Sequence, residues 1–289
     1  MNALTEDELI IALEKALPEI AEDHQAAASP WSPHDWVPWD AGRNFAFLGG
    51  DDWDESQRTL SDETRAGVLA LLLTKDNLPS YHRVLAIHFP AFSDWRQLVG
   101  VWTAEDNRHG IVLRDYLVVT RAIDPVDAEE RRRIHVTAGY RQHTEDVSDL
   151  GPLDVLALMA IHENQCVAFI ERLSASVTDD VFKQILAKIS HDDAVQATTF
   201  AAFLNAALVA DQEGTVLALD RRLATVEPIG FDVADFDAER ALIAGYEDDS
   251  TRSAIAATLV EALKLDSVHE LGDEAEAARQ RVLALAGRS

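Results

Sequence analysis

Apolar residues recur along this chain at helical spacing, and strict two-residue alternation is absent. The pattern predicts an almost wholly helical protein. Thr5 is placed to cap a first helix whose Leu9, Ile10, Leu13 and Leu17 share one side. Residues from about 26 to 57 break the pattern with Pro30, Pro33, Pro38 and the pair Gly49-Gly50. The same stretch carries Trp31, Trp36, Trp39 and Trp53, so a strap packed by its own side chains is expected rather than a linker. Helical periodicity resumes from Ser61 to about His88. Val68, Leu69, Leu71, Leu72 and Leu73 make this segment apolar on more than one side, which predicts a central helix, kinked at Pro79. A long helix is expected from about Ser93 to Arg121, before Pro125, and others near 126–145, 152–174 and 178–211. Asp211 to Gly214 reads as a turn or brief bend. After about Val226, Pro228 and Gly230 precede acidic and alanine-rich helices that continue to the end. Residues from about 231 onward could form a helical appendage on a main bundle. No repeat of fixed period and no low-complexity block interrupts the chain.

One segment carries chemistry. Asp106 and His109 lie three residues apart inside the helix expected from 93 to 121, and residues at that separation point the same way. In di-iron carboxylate bundles, two helices each supply one Glu and two others each supply a Glu-x-x-His pair, all facing inward. Asp106 and His109 are candidates for one such pair.

Composition narrows the rest. A chain of 289 residues with 47% hydrophobic content can bury a sizeable core in one large domain or two smaller ones. A formal charge of −26 disfavours nucleic acid or an anionic membrane as a partner. No apolar run of about 18 residues predicts a membrane span, and the N-terminus lacks a basic leader. The lone Cys166 excludes an internal disulfide and fits a reducing, cytoplasmic setting. Against the acidic background stands one basic cluster, Arg131, Arg132 and Arg133, followed by Arg141 and His143. It is either a solvated helix face balanced by Glu129 and Glu130 or a docking site for an acidic protein.

The stretch Trp102-Thr103-Ala104-Glu105-Asp106-Asn107-Arg108-His109 resembles the Trp-Thr-Ala-Glu-Glu-Asn-Arg-His motif of the soluble acyl-carrier-protein desaturases. Other segments follow in order. Trp31-Ser32-Pro33-His34-Asp35-Trp36-Val37-Pro38 is similar to that family's Trp-x-Pro-x-Asp-Phe-Leu-Pro. Asn77-Leu78-Pro79-Ser80-Tyr81 resembles Ala-Leu-Pro-Thr-Tyr, and Asp211 to Ala218 resembles Asp-Pro-Asp-Gly-Thr-Val-Leu-Ala. Asn44 to Gly50 and Asp115 to Arg121 are similar to the shorter actinobacterial branch. The resemblance spans roughly residues 28–225.

It implies a ferritin-like all-α bundle with extra helices, expected here as a single domain of 1–289. The strap region would be 1–57, the bundle core about 58–225, and the C-terminal helices the remainder. It also implies a dimer, two irons, and oxygen-dependent insertion of a double bond into an acyl chain on acyl carrier protein, with electrons from ferredoxin. Carried over position by position, the six ligand positions fall on Lys75, Asp106, His109, Glu163, Asp193 and Gln196. The family's Glu is thus a cation at Lys75, and its second His is an amide at Gln196. His191, two before Asp193, would point elsewhere.

A complete set has four carboxylates; here three remain beside one ammonium, a ligand charge of about −2 instead of −4, enough for one divalent ion at most. Asp also reaches about 1 Å less far than Glu, and the Gln carbonyl is a poor substitute for imidazole on iron. The expectation is a site that is metal-free or holds one metal, with Lys75 in a buried salt bridge.

The family's electron path corresponds to Trp31, His109 and Asp192. Cys166 stands where plant members carry a Thr near the oxygen pocket, and reads otherwise as a small buried residue. Asp266 and His269 form a second Asp-x-x-His, expected to be a chance surface pair. His82, His88, His135 and His162 match no ligand position and are expected to be structural or surface residues. The acyl channel is expected beside Leu72, Val101 and Met159, and the carrier-docking face at Arg131, Arg132, Arg133 and Arg141.

Three functions follow. The chain is a desaturase or related oxidase of tethered acyl chains, or a non-catalytic member that binds acyl carrier protein or a desaturase partner, as a homodimer or as half of a heterodimer with an active paralogue, or a one-metal or metal-free enzyme of a different reaction type using Lys75 as base or nucleophile. Three nearby carboxylates hold a lysine protonated, which argues against the last.

Overall fold

The computed structural model describes residues 4–89, 92–138 and 150–288. Twelve α-helices are present among them, and no strand. Helix α1 (Glu6–Glu14) begins in a capping box: the Thr5 hydroxyl accepts from the Glu8 amide and the Glu8 carboxylate accepts from the Thr5 amide. The expected apolar face is there, but Leu17 opens a second helix, α2 (Leu17–Ala27), with Pro18 in its first turn, where the missing N–H costs nothing.

A similar correction applies further on. Instead of one helix kinked at Pro79, α3 (Asp62–Asp76) stops at Asn77 and α4 (Leu78–His88) starts anew with Pro79 in its first turn. Then come α5 (Trp95–Val119), α6 (Pro125–Ala138), α7 (Pro152–Ser176) and α8 (Asp180–Ala210). The expected bend at Asp211 is the cap of α9 (Gln212–Ala224), where the Asp211 carboxylate accepts from the Gly214 amide. The short α10 (Asp237–Leu242), α11 (Asp249–Leu263) and α12 (Asp273–Leu285) finish the chain.

Four helices form the central bundle. Helix α3 packs on α5 and α7, and α8 packs on the same two. The apolar residues divide into two clusters along its length. One gathers Trp102 of α5, Ala157 to Ile161 of α7, and Phe200 and Phe203 of α8, together with α1, α2, α4, α9, α11 and α12. The other gathers Ala66 to Leu73 of α3, Val112 to Leu117 of α5, Cys166 to Leu173 of α7 and Phe182 to Ile189 of α8. Lys75, Asp106, His109, Glu163, Asp193 and Gln196 fall between the clusters on their respective helices, all buried. The bundle therefore has an apolar core at each end and a polar layer between them. At this level α3 and α5 approach closely: a Cβ on Gly110 would lie 2.5 Å from Asp76 Oδ1 and would have to displace that carboxylate. The C-terminal segment shares both cores, through Ile229, Val233, Phe236 and Tyr246 in one and Ile255, Leu259 and Val282 in the other.

Helices α7 and α8 are long and apolar enough to cross a membrane, although neither holds the unbroken apolar run considered above. In their most apolar windows 83% and 56% of residues are buried by the rest of the protein.

The strap from 28 to 60 is a succession of short 3-10 turns bound to the bundle at both ends. The Trp31 indole donates to Asp192 Oδ2 at 2.9 Å, Lys188 lies over the Trp36 ring, and the Trp53 indole donates to the Arg121 carbonyl at 3.1 Å. Trp39 is half exposed and bonds only within the strap. Arg121, just past the end of α5, is the main anchor. Its backbone is left-handed (φ 55°), and its buried guanidinium donates to Gln57 Oε1, Asn44 O and Asp51 O at 2.9–3.0 Å while lying over the Phe45 ring. Truncation leaves these acceptors without their cation. Arg121→Ala is expected to destabilise the fold by about 2–4 kcal/mol and to speed proteolysis within 41–58. Unchanged urea midpoint and cleavage rate would show that the strap is held otherwise.

Candidate functional site

The polar layer is assembled from four helices. Lys75, in the last turn of α3, crosses the bundle with its side chain 1% exposed, and its Nζ lies 2.9 Å from both Asp106 Oδ1 of α5 and Asp193 Oδ1 of α8. Glu163 Oε2 of α7 is further away, at 3.9 Å. Burial works against the ammonium, but the surrounding carboxylates outweigh it and hold Lys75 protonated well above its usual range.

His109 has a carboxylate on each side: Nδ1 is 3.1 Å from Asp106 Oδ1 and Nε2 is 2.9 Å from Asp192 Oδ2. Two acceptors require two N–H donors, so the ring is an imidazolium. Burial opposes that charge, yet the bonds to Asp106 and Asp192 push its pKa up to about 9. Asp106 is held below the usual carboxylate range by Lys75 and His109 in spite of burial. Asp192 is also lowered, since burial is outweighed by His109 and by Arg108, whose Nη2 is 2.7 Å from Oδ2.

Glu163 behaves differently. Burial, with Asp193 and Asp106 nearby, pushes its carboxyl up to about 8 although Lys75 pulls the other way, and the Trp102 indole donates to its Oε1 at 3.0 Å. At neutral pH Glu163 is therefore mostly protonated. Burial raises Asp193 as well, against the pull of Lys75 and His109, and Lys75, Arg108 and His109 are the cations that face Asp106, Asp192 and Asp193 across the layer.

The residues singled out from the sequence are thus brought together. Lys75, Asp106, His109, Glu163 and Asp193 share the layer. Trp31, Asp192 and His109 form an unbroken hydrogen-bonded chain from strap to layer, with the Trp31 and His109 rings nearly parallel at 6.2 Å. Gln196 is buried one turn beyond Asp193, but its Nε2 turns to Glu105 Oε2 at 3.5 Å and its Oε1 has no partner. His191, Asp266 and His269 are exposed, as expected of residues outside the site.

Other residues the sequence did not point to. His24 of α2 bonds Glu105 at 3.0 Å and Thr199 at 2.8 Å, closing the layer on the Gln196 side. His162, expected to be an ordinary residue, is buried beside Glu163, stacked on Tyr81 at 4.4 Å and 3.7 Å from Cys166 Sγ. Its signal was the four-residue spacing to Cys166, which puts both on one face of α7. Burial and the Lys75 charge bring His162 down to about 3, so it is neutral.

One expectation is corrected. Leu72 and Met159 belong to opposite cores, and Val101 is 39% exposed, lining a surface groove of about 590 Å³ between α2 and α5, so these three do not line one channel. The α6 arginines are each paired on their own helix, Arg131 with Asp127, Arg132 with Glu129 and Arg133 with Glu130, which matches the balanced helix face. Arg141 and His143 lie outside the described residues.

With this geometry in hand, the relatives can be placed. A family profile described as fatty acid desaturase matches residues 5–289. The chain is 35% identical over 244 residues to DesA1 of Mycobacterium tuberculosis, covering 83% of this chain and 72% of that one. It is 36% identical over 229 residues to DesA2 of the same organism, covering 78% and 81%. Both are described as acyl-[acyl-carrier-protein] desaturases. The X-ray structure of that DesA2 superposes with a TM-score of 0.75 over 95% of this chain and 98% of the other, at 28% identity. A profile match from end to end and relatives above one third identity over most of the chain place this protein in the fatty acid desaturase family.

Proposed function

We propose that this chain is a desaturase-family protein of acyl-chain metabolism that binds acyl carrier protein in the cytoplasm but holds no dinuclear iron centre. Its partner would be a second copy of itself or a catalytically complete paralogue. One observation carries the reading: the Lys75 ammonium sits between Asp106 and Asp193, 2.9 Å from each, where two divalent cations would need those oxygens. Further support comes from His109, whose two nitrogens both donate to carboxylates and so offer no lone pair. Gln196 turns its amide away from the layer. Three carboxylates and an ammonium do not balance two divalent ions, and the donor set does not fit them. We therefore assign no oxidative step to this layer.

A second reading, an oxygen-dependent desaturase fed by ferredoxin through altered ligands, is favoured by the intact Trp31–Asp192–His109 chain and by the unpartnered Glu163 Oε2 and Asp193 Oδ2. Elemental analysis of protein expressed with added iron and manganese separates the two. Substoichiometric iron and manganese are expected, and two irons per chain would establish the second reading.

The ion pairs set a pH dependence. His109, raised from 6.5 to about 9, contributes fully below its unfolded value and loses that contribution as pH climbs through 9. Glu163, raised from 4.5 to about 8, favours the folded state while protonated, and its ionisation between those values removes stability. Asp106, lowered, loses its contribution only in strong acid. Stability should thus fall from about pH 4.5, where Glu163 starts to ionise in the unfolded chain alone, to about pH 9, by up to about 1.4 kcal/mol per unit for each proton, and Glu163→Gln should flatten the part below pH 8. Lys75→Met should cost about 3–5 kcal/mol by removing the ammonium from two buried carboxylates, Asp193 and Asp106, the second of which keeps only His109. Urea melts across this range check both, and a flat profile with an unshifted Lys75→Met midpoint would remove the ion-pair account.

For the carrier, a docking face on α6 requires its acidic groups to displace Glu129 and Glu130 from the arginines. Reversing Arg132 and Arg133 to Glu should weaken binding of an acidic carrier protein by about tenfold and reduce its salt dependence. Equal affinity by titration calorimetry would move the docking face elsewhere.

A further inference from the structure

We propose that His162, Glu163 and Cys166 form a site for one zinc-like divalent cation on α7, separate from the Lys75 ion pairs. The ligand atoms of the three residues lie within 4.8 Å of one another, and all three residues are buried. Only a small closure is needed to reach the bond lengths of a zinc site, about 2.0–2.3 Å.

An independent observation points to a ligand there. Glu163 Oε2 is fully buried and has no hydrogen-bond partner. Its Oε1 is already taken by the Trp102 indole. A carboxyl group anchored on one oxygen, with the other free of hydrogen bonds and 3.9 Å from Lys75 Nζ, can release its proton to take a cation.

The donor types select the ion. An imidazole, a carboxylate and a thiolate make a borderline-soft set, which suits zinc better than magnesium or calcium. The geometry of the helix assists. His162 and Cys166 are four residues apart on one face of α7, already at 3.7 Å (Nε2 to Sγ). The His162 ring is held against Tyr81, which fixes its orientation.

Charge permits the ion beside Lys75. Burial keeps both Glu163 and Cys166 protonated in the free protein, so the cation displaces one proton from each to solvent; the resulting carboxylate and thiolate cancel its divalent charge, and the ion pairs of Lys75 with Asp106 and Asp193 keep their balance. Those two aspartates stay with the ammonium, and the zinc set does not draw on them. Two of its three donors, His162 and Cys166, fall outside the positions that the family resemblance assigns to iron. This inference rests on the reading that Lys75 excludes a dinuclear centre, and the experiment distinguishes failure of each.

The test is titration of the purified full-length protein with Co2+ and Zn2+, followed by absorption spectroscopy and by elemental analysis after dialysis. One Co2+ per chain with a thiolate-to-cobalt charge-transfer band in the near ultraviolet is expected, displaced by stoichiometric Zn2+. Cys166→Ala should abolish the band and weaken Zn2+ binding by about 100-fold, within the range for losing a metal ligand or its support. His162→Phe keeps a ring against Tyr81 while removing the donor, and it should weaken binding similarly should Cys166→Ala not fold. Absence of binding, or wild-type affinity in a folded variant of either kind, would overturn the zinc site and leave the Lys75 reading intact. Two metals per chain retained in Cys166→Ala would overturn both.

Discussion

A charge buried between two apolar cores must be neutralised where it stands, and in this bundle Lys75 meets that requirement. Its side chain starts on α3 and ends between a carboxylate of α5 and a carboxylate of α8, so one ammonium ties three of the four central helices. Each ion taken from water costs several kcal/mol, and only close pairing with further hydrogen bonds offsets it. The layer meets this condition for Asp106, which accepts from both Lys75 and His109, and for Asp192, which accepts from His109, Arg108 and Trp31. It is met only in part for Asp193, whose Oδ2 has no hydrogen-bond partner, and for Glu163, whose Oε2 has none. Burial raises both carboxyls, and Glu163, which lies farther from the ammonium, at 3.9 Å, is pushed up to about 8.

The strap depends on the same layer. Asp192 Oδ2 is the common acceptor for an imidazolium inside the bundle and for an indole and a guanidinium on its rim. Arg108 lies over the Trp31 ring at 4.8 Å, so the cation that neutralises Asp192 also holds the tryptophan. At the far end of α5, Arg121 gathers three acceptors of the strap. The strap is therefore tied to the polar layer at one end and to the end of α5 at the other.

Much of this was legible along the chain. The helices followed from periodicity, and the pairing of Asp106 with His109 from spacing, because three residues bring the chain nearly once around; Lys75, Glu163, Asp193 and Gln196 were placed by the family resemblance. The breaks at Lys15 and Asn77 were not legible. A proline two residues into a helix and a proline kinking a longer one leave the same local signature, and tertiary packing decides between them. Val101 was misplaced for a related reason, since an apolar residue on a long helix can face a groove as readily as a core. The bond from His24 to Glu105 joins residues 81 apart, and no local pattern encodes a contact at that separation.

Side-chain length explains why the ammonium fits where it does. Aspartate keeps its oxygens near its own helix, so Asp106 and Asp193 leave the middle of the bundle open, and lysine, with four methylenes, is long enough to fill it from α3. Longer acids at those two positions would bring their oxygens into the space the ammonium occupies. They would also exchange short ion pairs for crowded ones. Glu163 is the longest acid in the layer, and it is the one that lies 3.9 Å from Nζ and turns one oxygen to Trp102 instead. Two short carboxylates and one long cation are therefore a matched set. Replacing Lys75 alone by Glu would supply a fourth carboxylate but not the complete ligand set, because Asp106 and Asp193 would still be shorter than Glu, His109 would still be held by Asp192, and Gln196 would still face Glu105.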